Sequence, residues 1–161
     1  MSDKEPESLR RKVDIFKTRT VDLLNSKKLQ ENERQLIEIL QGLDTKYQNL
    51  LIVVEGKRDA LVLRNLGIKA PIIKTQSRLT RLETAEKITT KAGRVGQVLL
   101  LTDFDKEGRE ISKQIEKELQ VNGVKVLKQE RRMIRKNMGS WRCIEELVAL
   151  FKRSDSPEAS R

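Results

Sequence analysis

The chain has 161 residues, enough for one domain with a modest extension. Charged residues make up 36% and hydrophobic residues 37%, so a single core sits under a heavily charged surface. With no His, and Cys143 as its lone cysteine, the sequence excludes His-based triads, His general bases, His- or cysteine-ligated zinc and any intrachain disulfide.

The charge is strongly positive. Lys and Arg number 34 against 24 Asp and Glu, giving +10 and a pI near 9.9. A polyanion is the simplest partner, and nucleic acid is the usual one. The bland alternative is a thermally robust surface, which also draws on Lys and Glu. Aromatic residues are only 3%, too few for an extended base-stacking platform. No stretch approaches a membrane span, and the first ten residues lack a signal-peptide pattern. A cytoplasmic protein is expected. With no His to activate it, Cys143 is expected to be a small core residue rather than a nucleophile.

Residues 1–7 are polar and read as frayed. From Ser8 to about Ser26, Leu9, Val13, Phe16, Leu23 and Leu24 recur at helical spacing. A second helix is expected from Glu31 to about Leu43, so residues 1–47 form an N-terminal helical extension, a hairpin turning near residues 25–28. At Leu50 the pattern changes. LLIVV (50–54) is a continuous apolar run, typical of a strand covered on both faces. Residues 58–67 read as a helix stopped by Gly67, and PIIK (71–74) as a short strand. A helix follows over 80–93, with Thr80 and Glu83 as a capping box. QVLLLT (97–102) is a second buried strand, 106–123 a long amphipathic helix, and VKVL (124–127) a fourth strand. Residues 131–152 read as a basic segment, RRMIRKN, and a closing helix over 141–151 that packs on the domain. The tail, 153–161, reads as disordered. The alternation from Leu50 onward implies an α/β layer fold with a mainly parallel four-stranded sheet flanked by helices.

The stretch LLLTDFDKEGRE (99–110) then stands out. Asp103, Asp105 and Glu107 occupy alternate positions before Gly108, just beyond a buried strand. In such sheets ligands bind beyond the carboxyl ends of the strands, where the strand order reverses. Glu55 follows the first strand in the same way. A 2-1-3-4 order would bring Glu55 to the Asp103 loop, with Asp59 one helical turn further on. An EF-hand calcium loop would need a bidentate Glu where this chain has Gln114, and a helix where it has LLLT. An aspartate-nucleophile phosphatase would carry its acid pair after the first strand. A receiver domain would too, and only Glu55 is there. A magnesium site fits better. Mg²⁺ takes hard oxygen ligands, commonly one or two carboxylates plus substrate phosphate. Asp103 and Asp105 would supply these, with Glu107 direct or through water. Asp105 as a helix N-cap and Glu107 as a complement to the helix dipole explain each acid singly, but not the presence of Glu55 at the equivalent edge.

These residues resemble the Toprim domain of topoisomerases, bacterial-type primases, recombination-repair proteins and some nucleases. The resemblance rests on Glu55-Gly56 closing one apolar strand and Asp103-Phe104-Asp105-Lys106-Glu107-Gly108 closing another, and covers about residues 48–130. It implies a compact Rossmann-like fold. It also implies Glu55 as general acid or base at a phosphodiester, and Mg²⁺, or Mn²⁺ in its place, at Asp103 and Asp105 with Glu107. VVEGKRDA is most similar to small stand-alone archaeal Toprim proteins, to the bacterial maturase of 5S ribosomal RNA and to overcoming-lysogenization-defect nucleases. In the last group an acid at the position of Asp59 helps hold a second metal. The chain departs from topoisomerases and primases. Its one Tyr, Tyr47, has no separate gate domain, and it carries no zinc module.

The expected activity is therefore a metal-dependent nuclease or phosphodiesterase, acting on RNA rather than DNA. Lys57, Arg58, Lys106 and Arg109 flank the acids, and Lys74 and Lys128 sit at strand ends on the same edge. Arg131, Arg132, Arg135 and Lys136 add a basic run suited to a phosphate backbone. The rival is a non-catalytic nucleic-acid-binding module within a larger processing or replication assembly, with a protein partner.

Overall fold

The structure, a computed structural model, describes residues 29–76 and 78–155. The helix expected over residues 8–26 and its turn lie outside them.

The first helix, α1 (Glu31–Lys46), is followed by β1 (Leu50–Val54), α2 (Lys57–Asn65), β2 (Ile72–Lys74), α3 (Arg81–Ala92) and β3 (Gln97–Leu100). Then come α4 (Lys106–Val121), β4 (Lys125–Val126), α5 (Lys128–Asn137), a 3-10 turn (Ile144–Leu147) and α6 (Val148–Asp155). The four strands are all parallel, in the order β2-β1-β3-β4. The order reverses between β1 and β3, which puts the ends of those two strands side by side, Val53 opposite Leu100.

Every residue of β1 is buried, as its unbroken apolar run requires, and alternation along the strand sorts the side chains between two layers. Leu50, Ile52 and Val54 face α1, α2, α5 and the C-terminal turn, among them Leu36, Leu40, Leu63, Ile134 and Leu147. Leu51 and Val53 face α3 and α4, against Ala85, Ile88, Ile115 and Leu119. The sheet is thus covered on both faces, and its polar chemistry is confined to its edges and strand ends.

Two elements depart from expectation. Residues 128–137, read as a basic segment, form a helix. Its inward positions are Glu130, Ile134 and Asn137, one turn apart, and two of the three are polar, so no apolar period marks it. Glu130 accepts hydrogen bonds from Lys46 and, at 2.7 Å, from Tyr47 Oη, which ties α5 to the end of α1. Burial opposes the Glu130 charge, but these two donors outweigh it and hold the carboxyl below its usual range. The closing helix, expected over 141–151, begins later as the 3-10 turn and continues to Asp155, into the segment read as a disordered tail. Residues 141–143 are instead irregular, with Cys143 extended, and run beside the acid loop.

Candidate metal centre and its basic surroundings

The backbone of β1 ends at Val54 and delivers Glu55 beside the chain leaving β3. Leu101 N–H still donates to Val53 O (2.7 Å), and Asp103 N–H points at Glu55 Oε1 (3.4 Å). Asp59 faces the same point from the first turn of α2. Its carboxylate is held by two backbone donors, Gly56 N–H on Oδ2 (3.0 Å) and Glu145 N–H on Oδ1 (2.8 Å), so its orientation is fixed. The segment after α5 closes the loop from the other side, where Phe104 N–H donates to Arg142 O at 2.6 Å. The result is a cavity of about 410 Å³. Its walls carry Glu55, Asp59, Asp103, Cys143 and Glu145, with Lys57, Arg58 and Gln76 around them.

Ligand atoms of Asp59, Asp103 and Cys143 all lie within 4.8 Å of one another. The electrostatics follow. Burial, then the neighbouring Glu55 carboxyl, then Asp59 and Asp105 push Asp103 up to about 7. Burial also pushes Asp59 up, against its two N–H partners. Crowded, poorly solvated carboxylates of this kind hold either a shared proton or a cation, and their hard oxygens fit a divalent ion.

The alternate-position acids divide. Asp105 is the N-cap of α4, and its Oδ1 accepts Gly108 N–H at 2.7 Å. Glu107 is exposed in the first turn of that helix. Neither lines the cavity, whereas Asp59 does. Gly108 is required by close approach, because a Cβ there would stand 2.2 Å from the Asp103 carbonyl oxygen. The helix can pack its first turn onto the acid loop only without a side chain at that position.

The expected phosphate-binding cations divide as well. Lys57 and Arg58 rim the acid cavity, with Arg58 paired to Glu145 at 3.2 Å. Lys74 ends β2 and Lys106 begins α4, both exposed and lining neither cavity. Arg109, Lys128, Arg131 and Arg132 line a second cavity of about 310 Å³ beyond β3, between α4 and α5. Arg131 is half-buried and is committed to the fold. Its guanidinium donates to the carbonyls of Leu100 (2.8 Å), Thr102 (3.0 Å) and Asp103 (3.3 Å) and lies over the Phe104 ring at 4.4 Å. Nothing in a run of basic residues distinguishes it from Arg132, which is exposed.

Cys143 is the residue that sequence reasoning placed wrongly. It is half-buried at the wall of the acid cavity rather than in the core. Burial, and the surrounding carboxylates after it, push its thiol up to about 11, so it is a weak nucleophile as expected. Gln76, from the loop after β2, and Glu145, from the 3-10 turn, were also missed, because neither stands in a motif of its own.

A doubly covered parallel sheet with acids converging at the β1–β3 switch defines a Rossmann-like, acid-centred α/β domain. The family model for the Toprim domain matches residues 50–136, and the chain belongs to that family. This is a nucleic-acid-processing family whose domains bind divalent metal ions. Among relatives, a UPF0292 protein of Thermococcus gammatolerans is 36% identical over 124 residues, spanning 76% of this chain and 88% of its own length. A UPF0292 protein of Methanocaldococcus jannaschii is 38% identical over 95 residues, spanning 57% of this chain and 70% of its own length. A solved structure, a putative protein from Aquifex aeolicus, superposes with a TM-score of 0.56 at 26% identity. It covers 68% of this chain and 94% of its own. Among the described residues no helix is long and apolar enough to cross a membrane.

Proposed function

We propose that this protein is a metal-dependent phosphodiesterase that cuts nucleic acid, RNA in preference to DNA. The observation that carries the reading is the meeting of Glu55, Asp59 and Asp103 around one cavity at the carboxyl edge of the sheet. In this reading Asp103 and Asp59 hold Mg²⁺ or Mn²⁺, and Asp105 and Glu107, which stand outside the cavity wall, act through water. When bound, the ion offsets charge developing on the phosphate and makes water a better nucleophile. Glu55 carries the proton, taking it from the attacking water or giving it to the leaving oxygen. Lys57 and Arg58 at the rim, with Lys74 and Lys106 further out, hold the phosphates on either side. Arg109, Lys128 and Arg132 extend the contact along the strand. The preference for RNA rests on the likeness of VVEGKRDA to ribosomal RNA maturases.

The test is cleavage of structured RNA, single-stranded DNA and duplex DNA with Mg²⁺ or Mn²⁺, and with chelator. RNA is cut, chelator stops the reaction, and Glu55→Gln slows it by about 10²–10⁴-fold while binding persists. Asp103→Asn has an equal or larger effect. Undiminished cutting by Glu55→Gln removes Glu55 from the mechanism. Tight, salt-sensitive binding with no cutting of any substrate makes the chain a binding module instead.

A further inference from the structure

The second cavity holds more positive charge than a surface helix needs. Six cations line it, Arg109 and Lys113 from α4 and Lys128, Arg131, Arg132 and Arg135 from α5, against one carboxylate, Glu116. That carboxylate is already taken, because Lys128 Nζ pairs with it at 3.0 Å. Arg131 spends its guanidinium on backbone carbonyls. The side chains of Arg109, Lys113, Arg132 and Arg135 make no hydrogen bond or ion pair with any described residue. The helix α5 also starts at this wall with no side-chain cap, adding the positive end of its dipole.

We infer that this recess between α4 and α5 binds the terminal phosphate of a nucleic-acid strand. The inference rests on the reading of the chain as a nucleic-acid-processing protein and names a feature of its substrate. An internal phosphodiester carries one charge, whereas a terminal monoester carries about 1.5 to 2 near pH 7 and offers three acceptor oxygens. Planar guanidinium groups suit such an anion, because they bind its oxygens in pairs. The position fits as well. The acid cavity lies on the β1 side of the end of β3 and the recess on the β4 side, and Arg131 spans the two by its bond to the Asp103 carbonyl. A strand end seated in the recess would lead its following phosphates toward the acids.

The experiment uses one internally labelled RNA sequence in three forms: 5′-phosphorylated, 3′-phosphorylated, and with hydroxyls at both ends. Binding is followed by fluorescence anisotropy in chelator at fixed salt. One phosphorylated form binds at least about tenfold tighter than the hydroxyl form, as one or two added charge-assisted hydrogen bonds require. Inorganic pyrophosphate competes for that added affinity. Arg132→Ala with Arg135→Ala erases the preference, and Lys113→Ala reduces it, each with an unchanged melting curve. Equal affinity for all three forms, a preference that survives the double substitution, or no binding of any form overturns the assignment. Cleavage is read separately. Forms bound alike and still cut leave the nuclease reading standing without the recess, and a preference without cutting does the reverse.

Discussion

Two sites of opposite character flank the end of β3. On the β1 side Asp59 is buried and fixed by two backbone donors, and Asp59 and Asp103 are pushed toward their neutral forms. On the β4 side the cations are mostly exposed and unpaired, and the half-buried one, Arg131, serves the fold. A chain of net charge +10 still does not neutralise its own acid cavity. Arg131 shows why, because it is bonded to the carbonyl of Asp103 and not to its carboxylate. Backbone geometry gives that guanidinium three carbonyl partners at the end of β3, and they hold it on the far side of the loop. Charge on the surface therefore says little about charge in the site. The pairing of individual groups decides whether a carboxylate is quenched or left for a metal.

The largest effect that sharpens this comparison is at Arg131. Arg131→Ala removes three charge-assisted hydrogen bonds and the stacking on Phe104, and is expected to cost about 2–3 kcal/mol of stability. Arg132→Ala, one residue on and exposed, should stay within about 0.5 kcal/mol. Thermal melts separate the two, at roughly 2–4 °C for each kcal/mol in a chain of this size. Arg131→Lys should not recover the loss, because an ammonium cannot reproduce the planar fork. Equal melting points for the two alanine variants would mean that Arg131 does not join the two sites.

A smaller effect separates proton from metal at Asp103. Its folded pKa, about 7, lies above the ordinary value of 3.8. Ionising it therefore disfavours the folded state. Stability from the neutral carboxyl is fully present below about pH 3.8 and is lost as pH rises to and through 7. In chelator, Asp103→Asn should melt higher than the parent at pH 8, and the two curves should converge near pH 4. Added Mg²⁺ should raise the parent at pH 8 and leave the variant unmoved. A gap independent of pH would remove the ionisation of Asp103, opposed by burial first and by Glu55 second, as its cause.

The acid side was largely legible in the sequence, and the basic side was not. LLIVV and QVLLLT announce covered strands, and Glu55 and Asp103 follow them, so strand order alone brings these two together. Asp59 was visible from its one-turn spacing. The division of labour among Asp103, Asp105 and Glu107 was not, because a helix cap and a metal ligand are the same residue type at the same strand end. The helix α5 escaped because polar Glu130 and Asn137 take core-facing positions that apolar periodicity would assign to Leu or Ile. Cys143 and Arg131 were misjudged for a shared reason. Their surroundings are made by the fold from segments far apart in sequence, and no local pattern records them.

The smallest effect is at Asp105, where the two roles of the acid loop can be told apart. Its side chain caps α4 through Gly108 N–H, so Asp105→Ala should cost about 1 kcal/mol of stability. Asn caps as well as Asp, so Asp105→Asn should preserve the melting point to within a few tenths of a kcal/mol while removing the charge. Mn²⁺ affinity, followed by electron paramagnetic resonance, then isolates what remains. If Asp105 acts only as a cap, the Asn variant binds Mn²⁺ as the parent does and Asp59 completes the site with Asp103. If it reaches the ion through water, affinity falls several-fold with stability intact, toward the 10–100-fold losses known for groups that support metal ligands. Loss of stability in the Asn variant would contradict both, because it would require the charge of Asp105, rather than its hydrogen bond, to hold the first turn of α4 against the acid loop.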